Sequence, residues 1–199
     1  MRELVLASSS RYRAELLTRL GLPFRTHAPE VDEQRRPNED PDALVRRLAR
    51  DKALAVAARF PQALIIGSDQ VAVCAGEVLG KPGSPERAVA QLTRLSGQTV
   101  TFLTSLCLHD AADGSLELAV VPTAVVFRPL SAAEIEHYVA RERPLDCAGA
   151  FKSEGLGIAL FERLEGTDPS ALIGLPLIEL CRMLRLAGLD PLTAVPAAE

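Results

Sequence analysis

The stretch Ala63-Leu64-Ile65-Ile66-Gly67-Ser68-Asp69-Gln70-Val71-Ala72-Val73 decides how this chain is read. Residues 63–66 form an apolar strand, which ends abruptly in Gly67-Ser68-Asp69-Gln70; the apolar pattern then resumes over Val71, Ala72 and Val73. Polar residues that interrupt an apolar strand are informative, because burying them costs free energy unless they are paired. Asp69 has two readings: a carboxylate facing a pocket, a cation or a metal, or a turn aspartate between two strands.

Upstream, Glu3 to Ala7 reads as a short buried strand joined by Ser8-Ser9-Ser10 to a helix over Arg11 to Leu20. Tyr12, Leu16 and Leu20 recur at four-residue spacing, and Gly21 stops the helix. A strand feeding a helix through small hydroxyl residues leaves backbone N–H groups open to an anion. A second helix starts at Asp40, with Pro41 in the first helical position and Asp42 at the positive end of the dipole. Its apolar stripe is Val45, Leu48, Lys52 and Val56, with Arg46, Arg47 and Arg50 on the other faces. Lys52 is the anomaly: either its stem snorkels to water, or its amine reaches a buried anion.

Downstream, Ala75-Gly76 turns a hairpin into a short strand ending at Gly80, and Lys81-Pro82-Gly83 leads to a helix from Pro85 to Leu95. Residues 98–109 and 116–128 are two longer strands joined by the turn 110–115, and a helix covers 132–140. Residues 144–157 are small and polar, Ile158 to Phe161 is a further strand, the last helix spans Pro176 to Ala187, and the tail after Leu189 is frayed. No internal repeat or linker divides the chain. The pattern predicts an α/β fold: a single domain over residues 1–199, with a mixed, twisted β-sheet flanked by helices.

At 199 residues, 48% hydrophobic and 24% charged, the chain has an ordinary globular composition. Aromatics are only 4%, so the core is expected to rest on Leu, Val, Ala and Ile. No apolar run approaches the roughly 18 residues needed to span a bilayer, and the first residues hold too short an apolar stretch for a secretory signal. No membrane partner and a cytoplasmic location are therefore expected. Cys74, Cys107, Cys147 and Cys181 lie far apart without a CxxC, which points to four thiols and neither a zinc nor a redox motif. Cys147 as a nucleophile lacks a paired histidine among His27, His109 and His137. A net charge of −4 weighs against a nucleic-acid partner. An anionic small molecule stays open, since it needs only a few local cations and a metal.

Only three lysines occur, Lys52, Lys81 and Lys152, each at a junction or on an apolar face. Any one of them reads either as a surface lysine or as a phosphate ligand; compact ammonium groups suit triphosphate oxygens, and Arg13 on the first turn of the first helix could add a bidentate phosphate contact. Glu33, in Pro29-Glu30-Val31-Asp32-Glu33, is either a solvated loop acid or, with Asp69, a ligand of magnesium or manganese. Glu154, in Lys152-Ser153-Glu154-Gly155, is either an exposed loop acid or an acceptor for a base edge.

The chain resembles the Maf family of nucleoside triphosphate pyrophosphatases over nearly its whole length. The matching segments are LVLASSSRYRAELLTRLGL (4–22), VDE (31–33), RLARDKA (47–53), IIGSDQV (65–71), LGKP (79–82), DCAGAFKSEGLGI (146–158) and IGLPLIEL (173–180). Their order and spacing together are specific. The resemblance implies an α/β fold shared with inosine triphosphate pyrophosphatases, two lobes around a nucleotide cleft, a divalent metal cofactor and a homodimer. It implies that Asp69 is the proton acceptor, that Ser8, Arg13, Glu33, Lys52, Lys81 and Lys152 line the phosphate and metal region, and that Tyr12, Gln70 and Glu154 tune base selectivity. That trio resembles the YceF-like subgroup, linked to 7-methyl-GTP; the subgroup acting on dTTP and UTP typically has Thr where this chain has Gln70. Arg11 stands where the family often has Pro. N7-methylguanine carries a delocalised positive charge, which a carboxylate such as Glu154 favours and on which Tyr12 stacks for about 1–2 kcal/mol when desolvated. Two further functions stay open: the same reaction on dTTP or UTP, and a nucleotide-binding regulator of cell division without turnover.

Overall fold

The computed structural model describes residues 2–194. Its elements in chain order are β1 (Leu4–Leu6), α1 (Arg11–Thr18), β2 (Arg25–Thr26), α2 (Pro41–Ala57), β3 (Leu64–Cys74), β4 (Glu77–Leu79), α3 (Pro85–Leu95), β5 (Thr99–Asp110), β6 (Leu116–Phe127), α4 (Ala132–Glu142), β7 (Phe161–Gly166) and α5 (Leu177–Leu186). Strands hydrogen-bond in the order β2-β1-β3-β5-β6-β7, with β4 paired to β3. β1 is parallel to β2 and β3, whereas β4 and β7 run antiparallel to β3 and β6. The mixed α/β sheet expected from the sequence is present. Among the described residues no helix is long and apolar enough to cross a membrane.

The chain divides into two compact units. The first comprises residues up to Gln70, Thr104–Val121 and residues from Asp168 onward. The two-residue period of its strands sorts the core into two layers. Leu4, Leu6, Leu64, Ile66, Leu106 and Leu108 pack against Leu16 and Leu17 of α1 and Leu180, Met183 and Leu184 of α5. Val5, Ala7, Ile65 and Cys107 face the other way, onto Ala49, Ala53 and Val56 of α2. Every helix start is capped. Ser10 caps α1, so Arg11 in the position often held by Pro leaves the start intact, and Asp40 caps α2 ahead of Pro41. At α5 the cap is remote: Asp168 and Ser170 accept the N–H groups of Ile178 and Leu177 at 2.7 and 2.8 Å.

The second unit comprises Val71–Leu103 and Pro122–Thr167. Its interior departs from the aliphatic expectation. Phe102, Phe127, Phe151 and Phe161 meet edge to face with ring centroids 4.8–5.6 Å apart. The residues expected to form a strand at 158–161 are instead a 3-10 turn over Leu156–Leu160, and the strand begins at Phe161. β7 ends the sheet and all but its first residue are exposed, so it has no apolar alternation for a sequence to display. β2, at two residues, is too short for periodicity.

β3 is also longer than expected: Gly67-Ser68-Asp69-Gln70 does not break it. Gly67 explains part of this. A Cβ built there would lie 2.0 Å from the Ala49 carbonyl oxygen, so α2 and β3 touch backbone to backbone. Gly67→Ala is expected to lose about 3 kcal/mol or more of stability, read as a shifted urea midpoint, because neither backbone can step aside as a flexible side chain does. An unchanged midpoint would mean that α2 is free to slide.

Candidate active site

β1 pairs with β2 on one side and β3 on the other, and the connecting helices α1 and α2 cover opposite faces. The chain therefore changes winding direction at β1. In parallel sheets the carboxyl ends of strands at such a switch point collect ligands. Ser8, Ser9 and Ser10 lie at that end of β1. Ser8 Oγ accepts the Ser10 N–H at 3.1 Å, and Ser10 Oγ accepts the Arg13 N–H at 3.4 Å. Arg13 donates from Nε to the Gly174 carbonyl at 2.9 Å and from Nη1 to Ser8 Oγ at 3.4 Å. Burial pushes its guanidinium pKa down, while the charges of Asp69 and Glu33 act to raise it.

Asp69 lies beyond Ile66 on β3, on the face that α2 covers. Because Gly67 admits α2 so closely, Lys52 arrives opposite Asp69. Its Nζ donates to Asp69 Oδ1 at 2.6 Å and pairs with Glu33 Oε1 at 2.7 Å. The side chains of Lys52 and Asp69 are 8% and 12% exposed, that of Glu33 62%. Lys52 thus reaches a buried anion and does not snorkel. Asp69 sits within a strand and is not a turn residue, and a carboxylate and an ammonium are tolerated there because each partners the other. The Asp69 N–H donates to Ser105 Oγ at 3.2 Å, and the Ser105 hydroxyl donates to Val45 O of α2 at 2.7 Å, a second tie between helix and sheet. Arg13 and Lys52 together balance Glu33 and Asp69 in formal charge.

Ser68 and Gln70 point to the opposite face of β3. Ser68 Oγ contacts the carbonyls of Ser105 at 2.8 Å and Gly174 at 3.0 Å. Gln70 Nε2 lies 2.8 Å from Thr104 Oγ1, 2.9 Å from Ala171 O and 3.0 Å from Leu172 O. Tyr12, half-buried on α1, carries the Arg11 guanidinium 5.0 Å from its ring centroid.

Arg47 was expected on an outer face of α2, yet it is buried. It forks onto Glu39 at 2.6 and 2.9 Å and reaches the carbonyls of Gln34 at 3.0 Å and Asp32 at 3.4 Å. It therefore holds the segment that carries Glu33. Eight residues across a helix start leave no local signature for such a pair. Arg47 and the Arg36 N–H bring the Glu39 carboxyl from an ordinary 4.5 to about 2.

Lys81, Lys152 and Glu154 belong to the other unit. Lys81 is exposed after β4. Tyr138 and Glu142, one turn apart on α4, hold the loop that carries the other two. Tyr138 Oη accepts the Lys152 N–H at 3.0 Å, and Glu142 Oε1 accepts the Leu156 N–H at 3.2 Å. Lys152 Nζ donates to the Glu142 carbonyl at 3.2 Å. Gly157 packs on Lys152, where a Cβ would meet the Lys152 carbonyl oxygen at 2.3 Å. Glu154 is exposed beside Ser153. Burial pushes the nearby Cys147 thiol up to about 12, so it holds no thiolate at neutral pH.

A family model described as Maf-like protein matches residues 3–187. A 7-methyl-GTP pyrophosphatase of Pseudomonas aeruginosa is 55% identical over 96% of this chain and 99% of its own length. One of Chromohalobacter salexigens is 57% identical over 96% and 100%, and one of Nitrosococcus oceani is 56% identical over 93% of each. Among solved structures, the Ham1 protein of Staphylococcus aureus matches 63% of this chain and 72% of its own at 14% identity, with a TM-score of 0.47, too distant to argue from.

Because the folded Glu39 carboxyl is held below its ordinary 4.5, its contribution to stability is full above that pH and is lost as pH falls towards about 2. Glu39→Gln is expected to melt below the unaltered protein at pH 7, with the gap closing between about 4.5 and about 2. Thermal melts across that range check it; a gap of constant size would remove the Glu39–Arg47 pair from the account.

Proposed function

The chain belongs to the Maf family, and from that premise we propose that it is a nucleotide pyrophosphatase that hydrolyses 7-methyl-GTP to 7-methyl-GMP and pyrophosphate. The observation that carries this is Asp69, buried on β3 and gripped on one carboxylate oxygen by Lys52. Its remaining oxygen is the proton acceptor. Water attacks the α-phosphorus, its oxygen forms the new P–O bond and its proton passes to Asp69. The α–β bridging bond breaks and its electron pair leaves with pyrophosphate. Such general-base help is worth about 10²–10⁴-fold.

Charge on the leaving group is the main demand. Arg13, with its Nε fixed on Gly174, and Ser8 take the phosphates in this reading, at the amino end of α1. Lys81 and Lys152 are assigned to the phosphates by the family motif positions they occupy. Lys52 and Arg13 already offset Asp69 and Glu33, so these four charged groups sum to zero until an anion arrives.

A divalent cation of the magnesium or manganese kind fits the donor set. Such ions take one or two carboxylates and complete their shell with water and substrate phosphate oxygens. Glu33 and Asp69 would hold it, and among the described residues no cluster of three or more His, Cys, Asp or Glu forms a closed cage. When bound it would supply further neutralisation of phosphate charge. All four cysteines are free thiols, which supports a cytoplasmic setting.

Selectivity for the methylated base is assigned to Tyr12 and Glu154. The Arg11 guanidinium lies 5.0 Å from the Tyr12 ring centroid, which supports reading that ring as a face for a cation, and a methylated guanine carries one. Glu154 is exposed and able to accept the N1–H and N2 amino edge.

Pyrophosphate release from 7-methyl-GTP, GTP, dTTP, UTP, CTP and ATP with magnesium or manganese is the direct test, with 7-methyl-GTP expected first. Release led by dTTP or UTP keeps the chemistry and overturns the base. Binding without release from any of them points to a sensor. Asp69→Asn is expected to cut turnover by at least about a hundredfold with circular dichroism unchanged; near-normal turnover sinks its role. Glu154→Gln should narrow the preference for 7-methyl-GTP over GTP more than it slows hydrolysis, and an unchanged ratio removes Glu154 from selectivity.

A further inference from the structure

Family resemblance places Gln70 among the residues that tune base selectivity, but its surroundings give it other work. Gln70 lies on the face of β3 opposite Asp69, and its amide nitrogen is surrounded by acceptors: Thr104 Oγ1 at 2.8 Å, Ala171 O at 2.9 Å and Leu172 O at 3.0 Å. Two of these are carbonyls, which cannot donate, so the amide must present its NH₂ there; the flipped amide would set oxygen against oxygen. Thr104, fully buried, spends its own proton on Ala171 O at 2.9 Å, which leaves its lone pairs for Gln70. The two amide protons are thereby shared among three acceptors.

What these bonds hold is the turn that runs through Ala171–Ile173 to Gly174. Gly174 has φ 127, a conformation that L side chains rarely adopt, and it closes the turn by donating its N–H to Ala171 O at 3.0 Å. Its carbonyl then accepts from Arg13 Nε at 2.9 Å and Ser68 Oγ at 3.0 Å. A continuous path of hydrogen bonds runs from Gln70 through the turn to the arginine. We infer that Gln70 is a positioning residue: it fixes the 171–174 turn, whose Gly174 carbonyl aims Arg13 at the substrate phosphates, and it does not read the base. This rests on the phosphate role proposed for Arg13. It follows that changing Gln70 should act on every nucleotide alike, because all share the triphosphate.

The test uses the full chain and two probes. Inorganic tripolyphosphate has no base, and its binding is followed by calorimetry without need of turnover. The nucleotide panel is followed by pyrophosphate release. Gln70→Leu is expected to weaken tripolyphosphate binding about tenfold and to lower kcat/KM for all nucleotides by a similar factor, leaving their order unchanged. In an Arg13→Ala background the same change should have little further effect on tripolyphosphate, a non-additivity that a general loss of stability would not produce. Thr104→Val, which removes the other side-chain donor to Ala171 O, should weaken tripolyphosphate in the same direction and carries the test if Gln70→Leu does not fold. A reordered nucleotide panel with tripolyphosphate binding intact overturns the inference and returns Gln70 to base recognition. Additive effects of Gln70→Leu and Arg13→Ala also overturn it, as does an unaltered chain that binds no tripolyphosphate. An unaltered chain that binds tripolyphosphate but hydrolyses no nucleotide would instead defeat the hydrolase reading and leave this path standing.

Discussion

The backbone contact between Gly67 and Ala49 is the constraint on which the rest of the first unit depends. A helix ordinarily stands off a sheet by the thickness of its side chains. Here one residue without a Cβ lets α2 settle on β3, where even a methyl group would sit 2.0 Å from a carbonyl oxygen. Lys52 lies one turn beyond Ala49, and Asp69 lies two residues beyond Gly67 on the same face, so the approach is what brings ammonium and carboxylate to 2.6 Å. Ser105 ties the same helix through Val45 and the same strand through the Asp69 N–H. The Asp69 carboxylate is thus oriented by rigid elements and not by a loop, as a site that must hold its geometry requires.

Charge placement follows the same logic. An isolated ammonium beneath α2 would be costly, and so would an isolated carboxylate within β3. Glu33 joins them from a segment that Arg47 and Glu39 fasten to the helix. That pairing is partly buried and forked, the geometry in which an arginine–carboxylate pair holds its place. The segment carrying Glu33 is therefore a strap anchored through Arg47, and it is also solvent-exposed, as its acidic sequence suggests.

Strand alternation divides the labour of β3. Ile65, Gly67 and Asp69 face α2; Ile66, Ser68 and Gln70 face the side where α1, α5 and the 171–174 turn lie. One face carries the Asp69 carboxylate, and the other carries the Ser68 hydroxyl and the Gln70 amide, which bond the 171–174 turn whose Gly174 carbonyl accepts from Arg13. Adjacent residues in the motif Gly67-Ser68-Asp69-Gln70 consequently do different work. A motif read as one string of site residues hides this, because the period of a strand sends neighbours in opposite directions.

Local periodicity and capping were enough to place most of the helices and the longer strands: Asp40-Pro41 starts α2, Gly21 follows α1, and the apolar runs around 64–66, 99–110 and 116–127 are strands. Asp69 and Lys52 were also legible, since a charge inside an apolar pattern is an energetic anomaly that needs a partner. The partners themselves were not. Lys52 with Asp69, Arg47 with Glu39, and Gln70 with the 171–172 carbonyls are separated by 17, 8 and about 101 residues, and hydrogen bonds across such separations leave no periodic trace. The continuity of β3 through Gly67-Ser68-Asp69-Gln70 was hidden for the same reason, because a strand can bury polar side chains only when distant groups satisfy them. The aromatic core of the second unit came from four phenylalanines too scattered in the chain to announce a cluster. The amino-acid sequence by itself determined which segments are helix and strand and which charges are out of place; the tertiary structure alone decided what those charges meet, because that depends on contacts between residues far apart in the chain.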